Sequence, residues 1–170
     1  NQLVLDFANP AVVDHIYEQI AAVLRQGDIN YVKWDMNRSL CDIYSGSMVW
    51  QGNVMYDYML GVYDLLERLT QAFPDMLWEG CSGGGGRFDM GMLYYTPQIW
   101  CSDNTDAVDR IRIQYGTSFA YPLSTMGAHV SAVPNHQTGR VTDMNTRGVV
   151  AMTGAFGYEL DLGKLSEEDK

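Results

Sequence analysis

Short runs of β-branched and aromatic residues alternate along this chain with longer stretches whose apolar residues recur at helical spacing, and that alternation restricts the possible folds most. Leu3 to Phe7 reads as a short buried strand. Asn9 and Pro10 then supply an N-cap and a first-turn proline for a helix to about Gln26, with Val12, Val13, Ile16, Ile20, Val23 and Leu24 on one face. Ile29 to Asp35 is the next strand, and Val54 to Phe73 a helix closed by Pro74. The pattern repeats with a strand over Met76 to Cys81, a short helix over Arg87 to Tyr95, a strand over Pro97 to Asp103 and a helix over Ala107 to Phe119. Tyr121 to Ser131 and Phe156 to Leu162 read as further strands, with a weaker helical period from Val141 to Thr153 between them.

Strands that alternate with helices predict parallel βαβ units, in either an open doubly wound sheet or a barrel. A dinucleotide-binding sheet places G-x-G-x-x-G after its first strand, and this chain has no such pattern. Polar residues instead close several successive strands, which suits the face of a (β/α)8 TIM barrel that gathers catalytic groups. About six strands are expected, so the chain reads as an incomplete barrel, about strands 3 to 8. The opening residues carry no initiator Met, no basic region and an acid within the apolar run, which argues against a signal peptide or a transmembrane start. They suggest an excised or incomplete piece of a larger protein.

A formal charge of -10, with no basic run, makes nucleic acid and anionic membranes poor partners. Cys41, Cys81 and Cys101 are odd in number and form no C-x-x-C pair, which fits a reducing compartment, the cytoplasm. The chain has no H-x-H or H-E-x-x-H zinc spacing.

Two of the apolar runs end in an aspartate: Tyr31-Val-Lys-Trp-Asp35 and Gln98-Ile-Trp-Cys-Ser-Asp103. Carboxylates at the junction of a buried strand and a loop are rigid yet reach solvent, and two of them can flank one glycosidic bond. Lys33 and Asp35 share a strand face, so the cation is expected to keep Asp35 ionised as a nucleophile requires; a plain strand-end ion pair is the competing reading. Asn37 and Arg38 follow, placed to bind hydroxyl groups or to cap a turn. Asp103 and Asp106 both precede a helix that needs one cap, and Asp106 is given that task and Asp103 the chemistry.

Gly83 to Gly86 allow a close backbone approach to a ligand; a phosphate loop lacks the Lys-Ser or Lys-Thr that should follow it. Trp34, Trp78 and Trp100 near the strand ends are core residues or flat faces for a sugar. His129 and His136 are alternative catalysts, but no G-x-S-x-G motif supports a Ser/His/Asp hydrolase.

At these residues the sequence resembles the α-galactosidases of glycoside hydrolase family 36. The resemblance rests on Lys33-Trp-Asp-Met-Asn-Arg38, Cys81-Ser-Gly-Gly-Gly-Gly-Arg-Phe-Asp89, Trp100-Cys-Ser-Asp-Asn-Thr-Asp106 and His129-Val-Ser-Ala-Val-Pro-Asn-His-Gln-Thr-Gly-Arg140, in family order, and extends to Phe156-Gly-Tyr-Glu-Leu160. It implies a (β/α)8 catalytic domain, residues 1 to 170 being part of it, with the family's N-terminal β-sandwich and C-terminal β domain absent from this chain. A retaining mechanism is implied, with Asp35 as nucleophile, Asp103 as general acid/base, and Lys33, Asn37, Cys81 and Gly84 binding the galactose hydroxyls; Trp34 and Arg87 are supporting residues. The implied substrate is a raffinose- or melibiose-type α-galactoside, hydrolysed without metal or organic cofactor by a homo-oligomeric parent. Sister activities on the same scaffold are α-N-acetylgalactosaminidase and a galactosyltransferase making raffinose-type sugars; a non-catalytic sugar-binding fragment is the reading from another class. A partial barrel also leaves strand edges unpaired, so the isolated segment is expected to be inactive and prone to aggregate.

Overall fold

In the computed structural model, which describes residues 3–41, 43–83 and 86–170, the Asn9 side chain accepts a 3.0 Å hydrogen bond from the Ala11 N–H and starts helix α1 (Pro10–Gln26). The elements that follow in order are strand β1 (Tyr31–Asp35), helix α2 (Val54–Ala72), β2 (Leu77–Cys81), α3 (Met90–Tyr95), β3 (Gln98–Trp100), α4 (Ala107–Thr117), β4 (Met126–Ser131), α5 (Met144–Ala151) and β5 (Ala155–Glu159). Five strands form one sheet in the order β1-β2-β3-β4-β5, and every neighbouring pair is parallel. Sequential parallel strands joined by helices make a half-barrel, an incomplete (β/α)8 TIM barrel.

Leu3 to Phe7, expected as a strand, forms none. The Phe7 N–H bonds back to the Leu5 carbonyl at 3.0 Å, Leu3 is 89% exposed, and the segment joins no ladder of the sheet. An apolar run becomes a strand only where another strand accepts its backbone groups. β3 is also shorter than Pro97 to Asp103, because only Gln98 and Ile99 pair with β2 and only Ile99 and Trp100 with β4. The strand expected from Tyr121 begins only at Met126, because Leu123–Thr125 closes into a 3-10 turn; the other boundaries differ from the sequence reading by up to three residues.

Alternation along the strands divides the sheet into two faces. Trp78 and Ile99 turn toward the helices and are buried with Leu65, Leu66 and Leu69 of α2, while Val32 and Trp34 pack against the same cluster. Burying each such leucine contributes roughly 1.5–3 kcal/mol, so α2 is the principal anchor of the helical layer. Met126, Ala128 and Val130 of β4 are buried on that side as well. Among the described residues each outermost strand, β1 and β5, has one neighbour in the sheet and one edge without.

Arginines reach back to the carbonyl ends of strands. Arg87 donates through Nη2 to the Cys81 carbonyl at 2.7 Å, and Arg147 of α5 donates through Nη1 to the Ser131 carbonyl at 2.6 Å and through Nε to Thr142 at 2.9 Å. No described helix is long and apolar enough to cross a membrane.

Candidate active site

The face opposite the helices carries the polar residues. Register places Lys33 beside Glu79 and Asp35 beside Cys81, and Glu79 beside Gln98. Because all strands run the same way, Asp35 at the end of β1 and Asp103 just beyond β3 lie on the same edge of the sheet. Two strand spacings, about 10 Å at the backbone, separate them.

Asp35 is exposed and fixed by its neighbours. Asn37 Nδ2 donates to its Oδ2 at 2.9 Å, and Asn37 Oδ1 accepts from the Gly83 N–H at 2.8 Å, so one amide ties the carboxylate to the glycine loop. Gly83 takes φ +52°, a left-handed conformation that favours glycine there. Burial works against the charge of Asp35, but hydrogen bonds from Asn37, the Cys81 thiol and the Met36 backbone outweigh it and hold the carboxyl below its ordinary value. Lys33 adds a smaller pull in the same direction, which corrects the sequence reading: the cation is the least of the named contributions, and hydrogen bonds do most of the ionising.

Lys33 is engaged elsewhere. Its Nζ stands 3.7 Å from Glu79 Oε1 and 5.3 Å from the Trp100 ring centroid. Glu79 is 2% exposed, and burial followed by repulsion from Glu159 pushes its pKa up to about 7. At 3.7 Å the ammonium is beyond hydrogen-bond reach, and Glu79 Oε1 has no hydrogen-bond partner among the described residues. His129 of β4 packs against Trp100 at 4.8 Å between ring centroids, with its Nδ1 4.0 Å from Glu159 Oε2. Burial, with Lys33 and Arg110 nearby, outweighs Glu159 and lowers the His129 pKa. Gly157 of β5 leaves room for that imidazole: a Cβ there would stand 2.6 Å from His129 Cδ2.

Asp103 is exposed on the loop after β3. Behind it Asp106 caps α4, accepting from the Val108 and Asp109 N–H groups at 3.0 Å each, as the sequence predicts. Asp106 is buried, yet those bonds together with Thr138 and Arg140 hold its pKa down. Thr138 and Arg140 thus give the His129 to Arg140 block a definite task, bracing the loop that carries Asp103. Arg110, 3% exposed, donates to the Ser102 and Asn104 carbonyls at 2.5 and 2.7 Å.

The structure therefore gathers Lys33, Asp35, Asn37 and Cys81 and sets Asp103 on the same edge. Gly84 lies outside the described residues. Trp34 and Trp78 belong to the core, leaving Trp100 as the tryptophan of the polar face. His136 is exposed on the loop after β4. A cavity of about 490 Å³ opens beside Asn37, Arg38, Gly83 and Arg87 and is lined by neither acid, while a smaller one of about 190 Å³ is lined by Asp35 together with Trp34, Arg38 and Arg87; Asp103 lines neither. Among the described residues no group of three or more His, Cys, Asp or Glu could hold a metal ion. Glu79 and Arg110 escaped the sequence reading, although strand parity from Cys81 would have placed Glu79 on the same face.

The melibiase family model matches residues 1–170. The chain is 67% identical over 170 residues to the bifunctional α-galactosidase/sucrose kinase AgaSK of Mediterraneibacter gnavus, covering 100% of this chain and 18% of that protein. It is 59% identical over 172 residues to the α-galactosidase AgaA of Geobacillus stearothermophilus, covering 100% of this chain and 24% of the relative. A crystal structure of an AgaA variant in complex with raffinose aligns with TM-score 0.97 at 58% identity, over 99% of this chain and 24% of that one. The chain thus spans about a fifth to a quarter of the length of these relatives. Agreement along its whole length, in sequence and in fold alike, makes this chain a member of the melibiase family, with α-galactosidases of glycoside hydrolase family 36 among its relatives.

Proposed function

We propose that the polypeptide carrying this segment is a retaining α-galactosidase that removes terminal α-galactosyl residues from raffinose- or melibiose-type oligosaccharides. Asp35 attacks the anomeric carbon while Asp103 gives its proton to the departing oxygen, forming a galactosyl-enzyme ester. Asp103 then takes a proton from water, which opens the ester and restores both acids. Retention asks for carboxyl groups about 5–5.5 Å apart, which side chains leaning inward from alternate strands can reach. Lys33, Asn37, Cys81 and Gly84 hold the sugar hydroxyls, and Asn37 and Cys81 also orient the nucleophile.

The observation that carries the proposal is the hydrogen-bonded, ionised Asp35 on the same edge as Asp103. Relatives crystallised with raffinose and with stachyose support the substrate class. The remaining barrel strands, a β-sandwich and a C-terminal β domain belong to the same proposal, as other parts of the polypeptide. So do a homo-oligomeric state and a cytoplasmic location, the latter favoured by an odd number of cysteines with no C-x-x-C pair.

Replacing Asp35 by Ala in the complete polypeptide tests the assignment. Turnover of an aryl α-galactoside should fall at least about 10⁴-fold, and azide should restore part of it as a galactosyl azide is formed. Full activity without Asp35 removes it from the nucleophile's role, and preference for the aryl α-N-acetylgalactosaminide would move the enzyme to that sister activity.

A further inference from the structure

No side-chain hydrogen bond holds the Asp103 carboxylate among the described residues, so its aim depends on the loop beneath it. Asn104 is tied to Asp109 through its side chain, and the carbonyls on either side of Asp103 are both gripped by Arg110. Arg110, on the first turn of α4, donates through Nη2 to the Ser102 carbonyl at 2.5 Å and through Nε to the Asn104 carbonyl at 2.7 Å, the residues on either side of Asp103. Its Nη1 reaches Cys101 Sγ at 3.1 Å and the Gly127 carbonyl of β4 at 3.2 Å. The guanidinium also lies 4.2 Å from the Trp100 ring centroid, and the residue is 3% exposed.

We infer that Arg110 is a positioning residue for the acid/base: its guanidinium locks the Cys101 to Asn104 loop to β3 and β4, and so aims the Asp103 carboxyl at the departing oxygen. The inference rests on the function proposed above. A planar fork can bond three carbonyls and a thiol at once while stacking on an indole; a lysine ammonium offers a point charge on a flexible stem and reproduces neither. The fork also leaves Asp103 free of a permanent partner, which suits a group that must be protonated in one step and ionised in the next. Asp103 is among the charges that favour the Arg110 cation, so the two interact without a direct bond.

The effect falls on one step. As Asp35 bonds to the anomeric carbon, the glycosidic C–O bond breaks and its electron pair takes the Asp103 proton. A sugar alcohol needs that proton to leave, whereas a dinitrophenolate hardly does. Arg110→Lys and Arg110→Met in the complete enzyme should therefore lose about 100-fold in kcat/KM on raffinose and less than about tenfold on 2,4-dinitrophenyl α-galactoside. A merely structural arginine would lower both alike, and an equal loss, or no loss, overturns the inference. Arg110→Lys keeps the charge, so it decides the matter where Arg110→Met does not fold. If the unaltered enzyme hydrolyses neither substrate, the α-galactosidase reading itself fails; if it hydrolyses both but the variants keep its substrate ratio, only the role of Arg110 does.

Discussion

The two acids of the site are held in opposite ways. Asp35 ends a five-residue strand paired along its length with β2, and its carboxylate is bonded directly by Asn37 and Cys81. Asp103 stands beyond a three-residue strand, with its side chain exposed and only its main-chain neighbours fixed. In the proposed mechanism the nucleophile must stay ionised and still, so bonds to the charged form suit it. A group that alternates between acid and base is better served by a rigid support that does not choose between its protonation states.

The sharpest way to break this contrast is Asp103→Asn in the complete enzyme. Its kcat/KM on raffinose should fall about 10²- to 10⁴-fold, and far less on the dinitrophenyl galactoside. Equal losses on the two substrates would give Asp103 no proton-transfer role. Next in size, Asp106→Ala removes the α4 cap and the buried partner of Arg140, and should cost about 1–2 kcal/mol in urea unfolding. An unchanged midpoint would show that Thr138 and Arg140 brace the loop without it.

Asn37→Ala tests the other side of the contrast. It removes a bond that lowers the Asp35 pKa, so the acidic limb of kcat/KM should move to higher pH, with activity lost at pH values below it. A limb that stays in place while KM rises would leave Asn37 as a sugar ligand alone. The effect of Glu79→Gln is confined to one pH range. A carboxyl raised from 4.5 to about 7 on folding contributes stability that is fully present below pH 4.5 and lost as pH rises through 7. The glutamine variant should therefore melt several degrees above the unaltered enzyme at pH 8, with the gain vanishing toward pH 5; a gain independent of pH would assign the effect to packing.

What the chain announces in its sequence is mostly local. Asn9 with Pro10, Asp106 before α4, and the alternation of periods mark helix starts and strand order because a cap or a buried face is made by residues close in the chain. Leu3 to Phe7 misleads because strand formation needs a neighbour that no local pattern reports. Strand parity marks Lys33 as the partner of Asp35, whereas the Asn37 and Cys81 bonds to Asp35 depend on how the loop after β1 meets β2. Arg110 looks like any helical arginine until α4 is laid against β3 and β4, and Trp34 and Trp78 become core residues only once the helical side of the sheet is fixed.

The arginines that hook strand carbonyls tie motion of the outer layer to motion of the rim. If α4 slid along the sheet by a fraction of a turn, Arg110 would drag the Ser102 to Asn104 segment with it, and α5 would do the same to Ser131 through Arg147. Heat that loosens the helices should therefore blunt catalysis before the sheet comes apart, and substitutions far from any sugar, on the buried faces of α4 and α5, can tune the reaction's temperature range.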